Sequence, residues 1–439
     1  MDGFRALTVT GVIDAHLTRV CLVSSMKPSP IQQRLLDQVE ADREEIIQFL
    51  RGFIQAPSPN PPGDTRKAAQ HITDYLDAKN ITYKVVGPDP EKPNIISTHK
   101  TQKPGNHLIL NGHIDVFPVG NPDGWSYEPW GGELVNDKIY GRGACDMKTG
   151  TTASIYTYTV LNELADELTG SLTLTAVSDE ETGGRLGAGW LVDNMPEVMG
   201  DCVINGEPSS PYTIRFGEKG IVWLRVTVRG KGGHGAYPHL SPNPIKIASK
   251  LITELESLNE IPVDYPPNLH KAINEGRAEA EKALGVGGAD VMRRLSVNIG
   301  SINGGVKINV IPRECSFEVD LRLPPGLSRE QVLSRVEDIL DRYPGASYEE
   351  IRYDEALSSP PDGEMIETMR ANSRLLGIDP KPIISLGGSD LKFWRSHDVP
   401  SYYYGPMNHG MGTVDEYVKV EELMHVVKVH LLSAYDYLT

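Results

Sequence analysis

His113 and Asp115 stand at the end of the apolar run Leu108-Ile109-Leu110, in Asn111-Gly112-His113-Ile114-Asp115. Along an extended chain, residues i and i+2 share a side, so Asp115 can reach the His113 imidazole and orient it. Metal-ligating histidines commonly have such a partner behind them. A loop histidine beside a solvated aspartate would leave the same trace, so the rest of the chain must supply further ligands. Asp146 closes Gly141-Arg142-Gly143-Ala144-Cys145-Asp146-Met147-Lys148, just ahead of a helical segment, where it is either a ligand or a helix N-cap. Asp179-Glu180-Glu181 follows the alternating strand Ser171–Ser178, and adjacent carboxylates repel one another unless cations are present. Glu207, in Gly206-Glu207-Pro208, again follows a short strand.

The elements that carry these residues alternate between helix and strand. Apolar residues recur at helical spacing over 31–57 and 65–79. Strands are expected at Thr82–Val86, Asn94–Thr98, His107–Gly112, Ser171–Ser178 and Asp201–Asn205. This predicts an α/β domain with a mixed, largely parallel sheet, in which His113, Glu180/Glu181 and Glu207 all sit at C-terminal strand ends. In open α/β sheets that edge is where ligands bind. From about 213 the pattern becomes β-α-β-β-α-β, which describes an α+β, ferredoxin-like module with a polar, helical insertion at 264–292. The first domain then resumes. The expected division is an N-terminal extension at 1–30, a split domain at 31–212 and 357–439, and an inserted domain at 213–356.

The chain has 439 residues, 39% hydrophobic and 23% charged, with a net charge of −16. That acidity argues against nucleic acid or an anionic membrane as the main partner. Four scattered cysteines without a C-x-x-C pair argue against a disulfide scaffold and fit a reducing compartment, hence a cytoplasmic location. No window approaches a membrane span.

In this order the motifs resemble those of the M20 family of co-catalytic zinc peptidases and amidohydrolases. The family includes aminoacylases, desuccinylases and glutamate carboxypeptidases, and the likeness runs from about residue 30 to 439. It adds His234 in Gly232-Gly233-His234 and the stretch from Gly405 through His409 to Asp415-Glu416.

The resemblance implies a zinc-peptidase-like catalytic domain and an inserted lid and dimerisation domain, hence a homodimer. It implies two Zn2+ per chain, with Co2+ or Mn2+ also accepted. Asp146 would bridge them, His113 and Glu207 would complete one site, and Glu181 and His409 the other. Glu180 would be the general base on a water held by the metals. Asp115 would steer His113, and His234 would reach the partner subunit's site as oxyanion donor, with His239 as its rival. Asn309 and Arg322, with Gly387, Gly388 and Ser389, would bind the substrate carboxylate. Arg322 could equally pair with Asp320.

The implied activity is hydrolysis of the amide of an N-acyl amino acid or of a dipeptide with a free carboxylate. The alternatives are the same site run in reverse to form an amide, and a non-catalytic metal-binding descendant. Cys145 reads as packing. One departure from the family stands out: six residues separate His409 from Glu416, where many members have fewer. Residues 1–30 precede the likeness and have no assigned role.

Overall fold

The computed structural model describes residues 27–439. Residues 1–26 of the expected N-terminal extension lie outside the described residues. The helix expected over 31–57 is two helices, Pro30–Ala41 and Arg43–Ile54. Ser29 caps the first through a capping box with Gln32. The break falls at Asp42, whose carboxylate accepts the Tyr156 hydroxyl at 2.8 Å. A short acidic side chain held from outside competes with the helical path.

Eight strands form one mixed sheet in the order 84–86, 94–100, 171–177, 107–113, 202–205, 401–403, 213–218, 381–385. The strands flanking His107–His113 both run parallel to it, as do the pairs 202–205/401–403 and 213–218/381–385. The outer strands 84–86 and 94–100 are antiparallel. Helices cover both faces, which is why Leu108-Ile109-Leu110 and Val203-Ile204 are apolar without alternation.

One face carries the main core, with Lys148–Glu163 packed along Val420–Tyr437. The other packs Ala188–Asn194 and Leu391–Arg395 around Trp394. Each buried Leu, Ile or Val contributes roughly 1.5–3 kcal/mol to folding. Lys148–Glu163 is buried almost throughout and starts directly beneath the strand ends. Its Gly150 lies against Gly206, where a Cβ on Gly150 would sit 2.1 Å from the Gly206 carbonyl oxygen. Only two glycines permit that approach, and it sets Glu207 beside the helix start.

The second sheet has four antiparallel strands in the order 296–304, 314–323, 220–229, 346–354, with helices Pro244–Leu255 and Arg329–Leu340 on one face. That order is ferredoxin-like, as expected. Two segments inside 213–356 belong with the large sheet. Thr213–Glu218 pairs into it, and the insertion, three helices at 267–275, 277–284 and 288–293, places Leu269, Ile273 and Met292 in the main core. Lys219 alone separates the strand of one sheet from the strand of the other. It is buried and donates to the carbonyls of Val291 and Arg294 and to Ser296 Oγ at 2.7–3.0 Å. The chain returns alongside: Asp354 pairs with Ile221, and Ser358 bridges Gly217.

Candidate metal centre and active site

The parallel register brings the strand ends together. His113 is opposite Val177, and Asn111 is opposite both Thr175 and Asn205, so Glu180, Glu181 and Glu207 follow from neighbouring strands at one height. His113 is fully buried. Its Nε2 lies 3.2 Å from Asp146 Oδ1, 3.3 Å from Glu207 Oε1 and 3.9 Å from Glu180 Oε2. Its Nδ1 donates to the Asp115 backbone carbonyl at 2.8 Å. A carbonyl only accepts, so Nδ1 carries the proton and Nε2 faces the carboxylates.

Tetrahedral ligands about 2.0–2.2 Å from a zinc ion stand about 3.3–3.5 Å from one another. Asp146 Oδ1 and Glu207 Oε1 each stand about that far from His113 Nε2. Donors within 4.8 Å of one another fall into two overlapping groups, His113–Glu180–Glu207 and His113–Asp146–Glu181.

The electrostatics agree. Burial, then the Asp146 charge, push Glu207 up to about 8. Burial pushes Glu180 up to about 7 and Glu181 well above the carboxylate range. Burial alone would lower His113, but Glu207 and Asp146 hold it well above an ordinary histidine. A field that attracts a proton so strongly attracts a divalent cation too. Among the described residues Glu181 Oε1 is buried without a partner, as expected of an oxygen made for a ligand outside the chain.

The residues around the cluster brace it. The Asp115 carboxylate reaches back less than expected: its Oδ1 is 3.6 Å from His113 Nδ1. Instead it accepts the backbone N–H groups of Glu180 and Glu181 at 3.2 and 3.1 Å, and Asn60 Nδ2 at 2.8 Å. So Asp115 steers His113 with its backbone and the two glutamates with its side chain. Glu416 Oε1 accepts the N–H groups of Cys145 and Asp146 at 2.9 and 3.1 Å, and Arg142 holds its other oxygen at 2.5 Å. The Asp146–Met147 peptide is cis. Cys145 Sγ turns to the Met407 carbonyl and packs away from the cluster. Sequence reasoning missed Glu416 and Asn60 as braces. It also missed Asp390, buried beside Glu180 with neither oxygen partnered among the described residues. Its place next to Ser389 in the Gly387–Asp390 loop was the available signal.

Several expected residues go elsewhere. His409 is corrected first: its Nε2 sits 2.9 and 3.0 Å from the two Glu422 oxygens, and its ring stacks on Tyr417. The structure therefore does not place it with Asp146 and Glu181. Gly410 and Gly412, both with positive φ, turn the following loop. Asn408 and Met411 face the cavity instead. Ser389 donates to Glu218 at 2.6 Å, leaving Gly387 and Gly388 to line the cavity. Arg322 lines it too, with Nε 2.8 Å from Asp320. Asn309 is not beside Arg322 but under His234, where its carbonyl accepts the Gly235 N–H at 2.8 Å. His234 is exposed on a two-stranded ribbon, Gly233–His234 against Val310–Ile311, outside its own chain's cavity, and His239 is exposed nearby.

Comparison with known proteins decides the family. Residues 216–346 match the peptidase dimerisation domain of M20 proteins. A succinyl-diaminopimelate desuccinylase of Cereibacter sphaeroides is 30% identical over 358 residues, covering 79% of this chain and 87% of that protein. The chain belongs to the M20 family of metallopeptidases and amidohydrolases. This M20 enzyme shares its fold with an M20 family metallo-carboxypeptidase from Sulfolobus solfataricus, at a TM-score of 0.76 and 18% identity, covering 90% of this chain and 99% of that one. A dinuclear metal binding M20 peptidase of Bacillus subtilis superposes with a TM-score of 0.64 at 17% identity, covering 91% and 99%. The enzyme is thus a metal-dependent hydrolase by family. No helix among the described residues is long and apolar enough to cross a membrane.

Proposed function

We propose that the protein hydrolyses the amide of an N-acyl amino acid, or of a dipeptide with a free carboxylate, using divalent metal held by His113, Asp146 and Glu207. Asp146 and Glu181 would hold a second ion, and zinc suits the nitrogen-bearing first position. The observation that carries the reading is the convergence of carboxylates on His113 Nε2, with Asp146 at 3.2 Å, Glu207 at 3.3 Å and Glu180 at 3.9 Å. When bound, the metals supply Lewis acidity towards the amide carbonyl and the attacking water.

The chain's own groups do the rest. Glu180 takes the proton of the attacking water and delivers it to the leaving nitrogen, a transfer that a carboxylate raised to about 7 suits near neutral pH. Arg322, at the lid side of the cavity, grips the substrate carboxylate. A second copy of the chain would bring His234 to the oxyanion. The exposed apolar residues Tyr237, Leu240, Val306 and Ile308 around its ribbon support that pairing. Amino-acid release by the zinc-loaded protein from a mixed panel of N-acyl amino acids and dipeptides tests the proposal. A panel left intact by metal-replete protein would refute it.

A further inference from the structure

The cavity between the lid and the large sheet, about 670 Å³, carries four cations beside the carboxylate cluster: Arg215, Arg322, Arg352 and Lys392. Three of them are near acids. Arg322 pairs with Asp320, Arg352 with Asp354 at 2.5 Å, and Lys392 lies 3.6 Å from Asp354. Arg215 is different. It is 3% exposed, and among the described residues it forms no ion pair. Nη1 donates to the Ile384 carbonyl at 3.2 Å and Nη2 to the Ser209 carbonyl at 3.0 Å, while Nε has no partner.

A buried guanidinium held only by neutral carbonyls is costly, and the cost falls when an anion arrives. Its position is close to the chemistry. Tyr403 pairs with Asn205 on one side and with Arg215 on the other. Strands are about 4.8 Å apart, so the Arg215 backbone stands about 10 Å from that of Asn205, which is two residues before Glu207. Ser209, Ser210, Ser385 and Tyr403 line the same cavity.

We propose that Arg215 anchors a second anion subsite, taking a carboxylate distinct from the one gripped by Arg322, so that the preferred substrate is an amide with two acidic groups. This rests on the amide-hydrolase reading above. A guanidinium with three N–H bonds still free can take a carboxylate with two hydrogen bonds. The second carboxylate can come from a dicarboxylic acyl group or from an acidic side chain.

The test compares N-acetyl-alanine, N-succinyl-alanine and N-acetyl-glutamate as substrates of the zinc-loaded full-length protein. One of the two diacids is expected to exceed N-acetyl-alanine by about 100-fold in kcat/KM, and which one it is identifies the source of the carboxylate. In Arg215→Met that ratio should collapse towards one, chiefly through KM, and Arg215→Lys should restore part of it. Free succinate or glutarate, followed by calorimetry, should bind wild type at least tenfold more tightly than acetate, a readout that stands even where Arg215→Met does not fold. Hydrolysis of all three with similar kcat/KM, or a diacid preference that survives in folded Arg215→Met, would overturn the subsite while leaving the amidase intact. No turnover of any member of the wider panel would instead remove the amidase reading.

Discussion

The Asp115 carboxylate accepts the backbone N–H of Glu181 at 3.1 Å, and that of Glu180 alongside it. The side chain is thus committed to the turn that presents both glutamates. Asp115→Ala should lower kcat and weaken metal binding by about 10–100-fold, the usual effect of losing a supporting partner of a metal site. Asp115→Asn, which keeps an acceptor, should recover part of both. Wild-type rate and metal affinity in the alanine variant would refute this role.

Glu180→Gln should keep the metal and lose the proton transfer. A fall in kcat of about 10²–10⁴ is expected, with metal content by elemental analysis unchanged. Loss of metal in step with activity would reassign Glu180 as a ligand.

The two metal positions proposed above should be unequal. His113 belongs to both donor groups, but its Nδ1 is held by the Asp115 carbonyl and its Nε2 can bind one ion, which leaves the other to the oxygens of Asp146 and Glu181, since His409 is held by Glu422. Metal titration should show one tight and one weaker ion, the weaker lost in Glu181→Ala, with both isotherms preserved in His409→Ala. A tight site that disappears in His409→Ala would return that residue to the centre.

Arg142 and Glu416 form a buried pair, each 1% exposed. Glu416→Ala leaves the guanidinium unpaired and frees the Asp146 backbone, so it should cost about 3–5 kcal/mol. Chemical denaturation measures this. Glu416→Gln, which still accepts the two N–H groups, should cost less.

Burial lowers His430 and His425 to about 4. Unfolded, each would titrate near 6.5. Between those values the unfolded chain binds more protons, so each histidine's contribution to stability is intact above 6.5 and falls as pH drops towards 4. The loss amounts to about 3 kcal/mol apiece at most. The difference in urea midpoint between wild type and His430→Gln should therefore shrink on going from pH 7 to pH 4.5. A difference independent of pH would mean that His430 does not titrate with unfolding.

Much of the architecture could be read from patterning. Continuous apolar strands, alternation with helices and the β-α-β-β-α-β order determine which residues reach which edge, and parallel register then brings His113, Glu180, Glu181 and Glu207 to one height. Residues anchored to strand ends were therefore accessible to sequence reasoning. Those on loops were not. Two glycines with positive φ decide where the segment after His409 goes, and no periodicity records that path. Asp115's partners are two backbone amides, which have no sequence signature, and the side chain of Asn60, fifty-five residues away. The insertion at 264–292 reads as helical, but its packing on the main core depends on a tertiary contact of a few apolar residues that any amphipathic helix could make.

Lys219 and the Asp354–Ser358 return run side by side, and the chain crosses between the second sheet and the main core again before and after the helices at 267–293. One isolated linker would leave the two sheets free to tilt, whereas four crossings oppose it. The bonds of Lys219 Nζ to Val291, Arg294 and Ser296 tie the first crossing to the last residues of the inserted helices. A single buried ammonium thus joins the chain where it leaves the large sheet to the chain where it re-enters the second one.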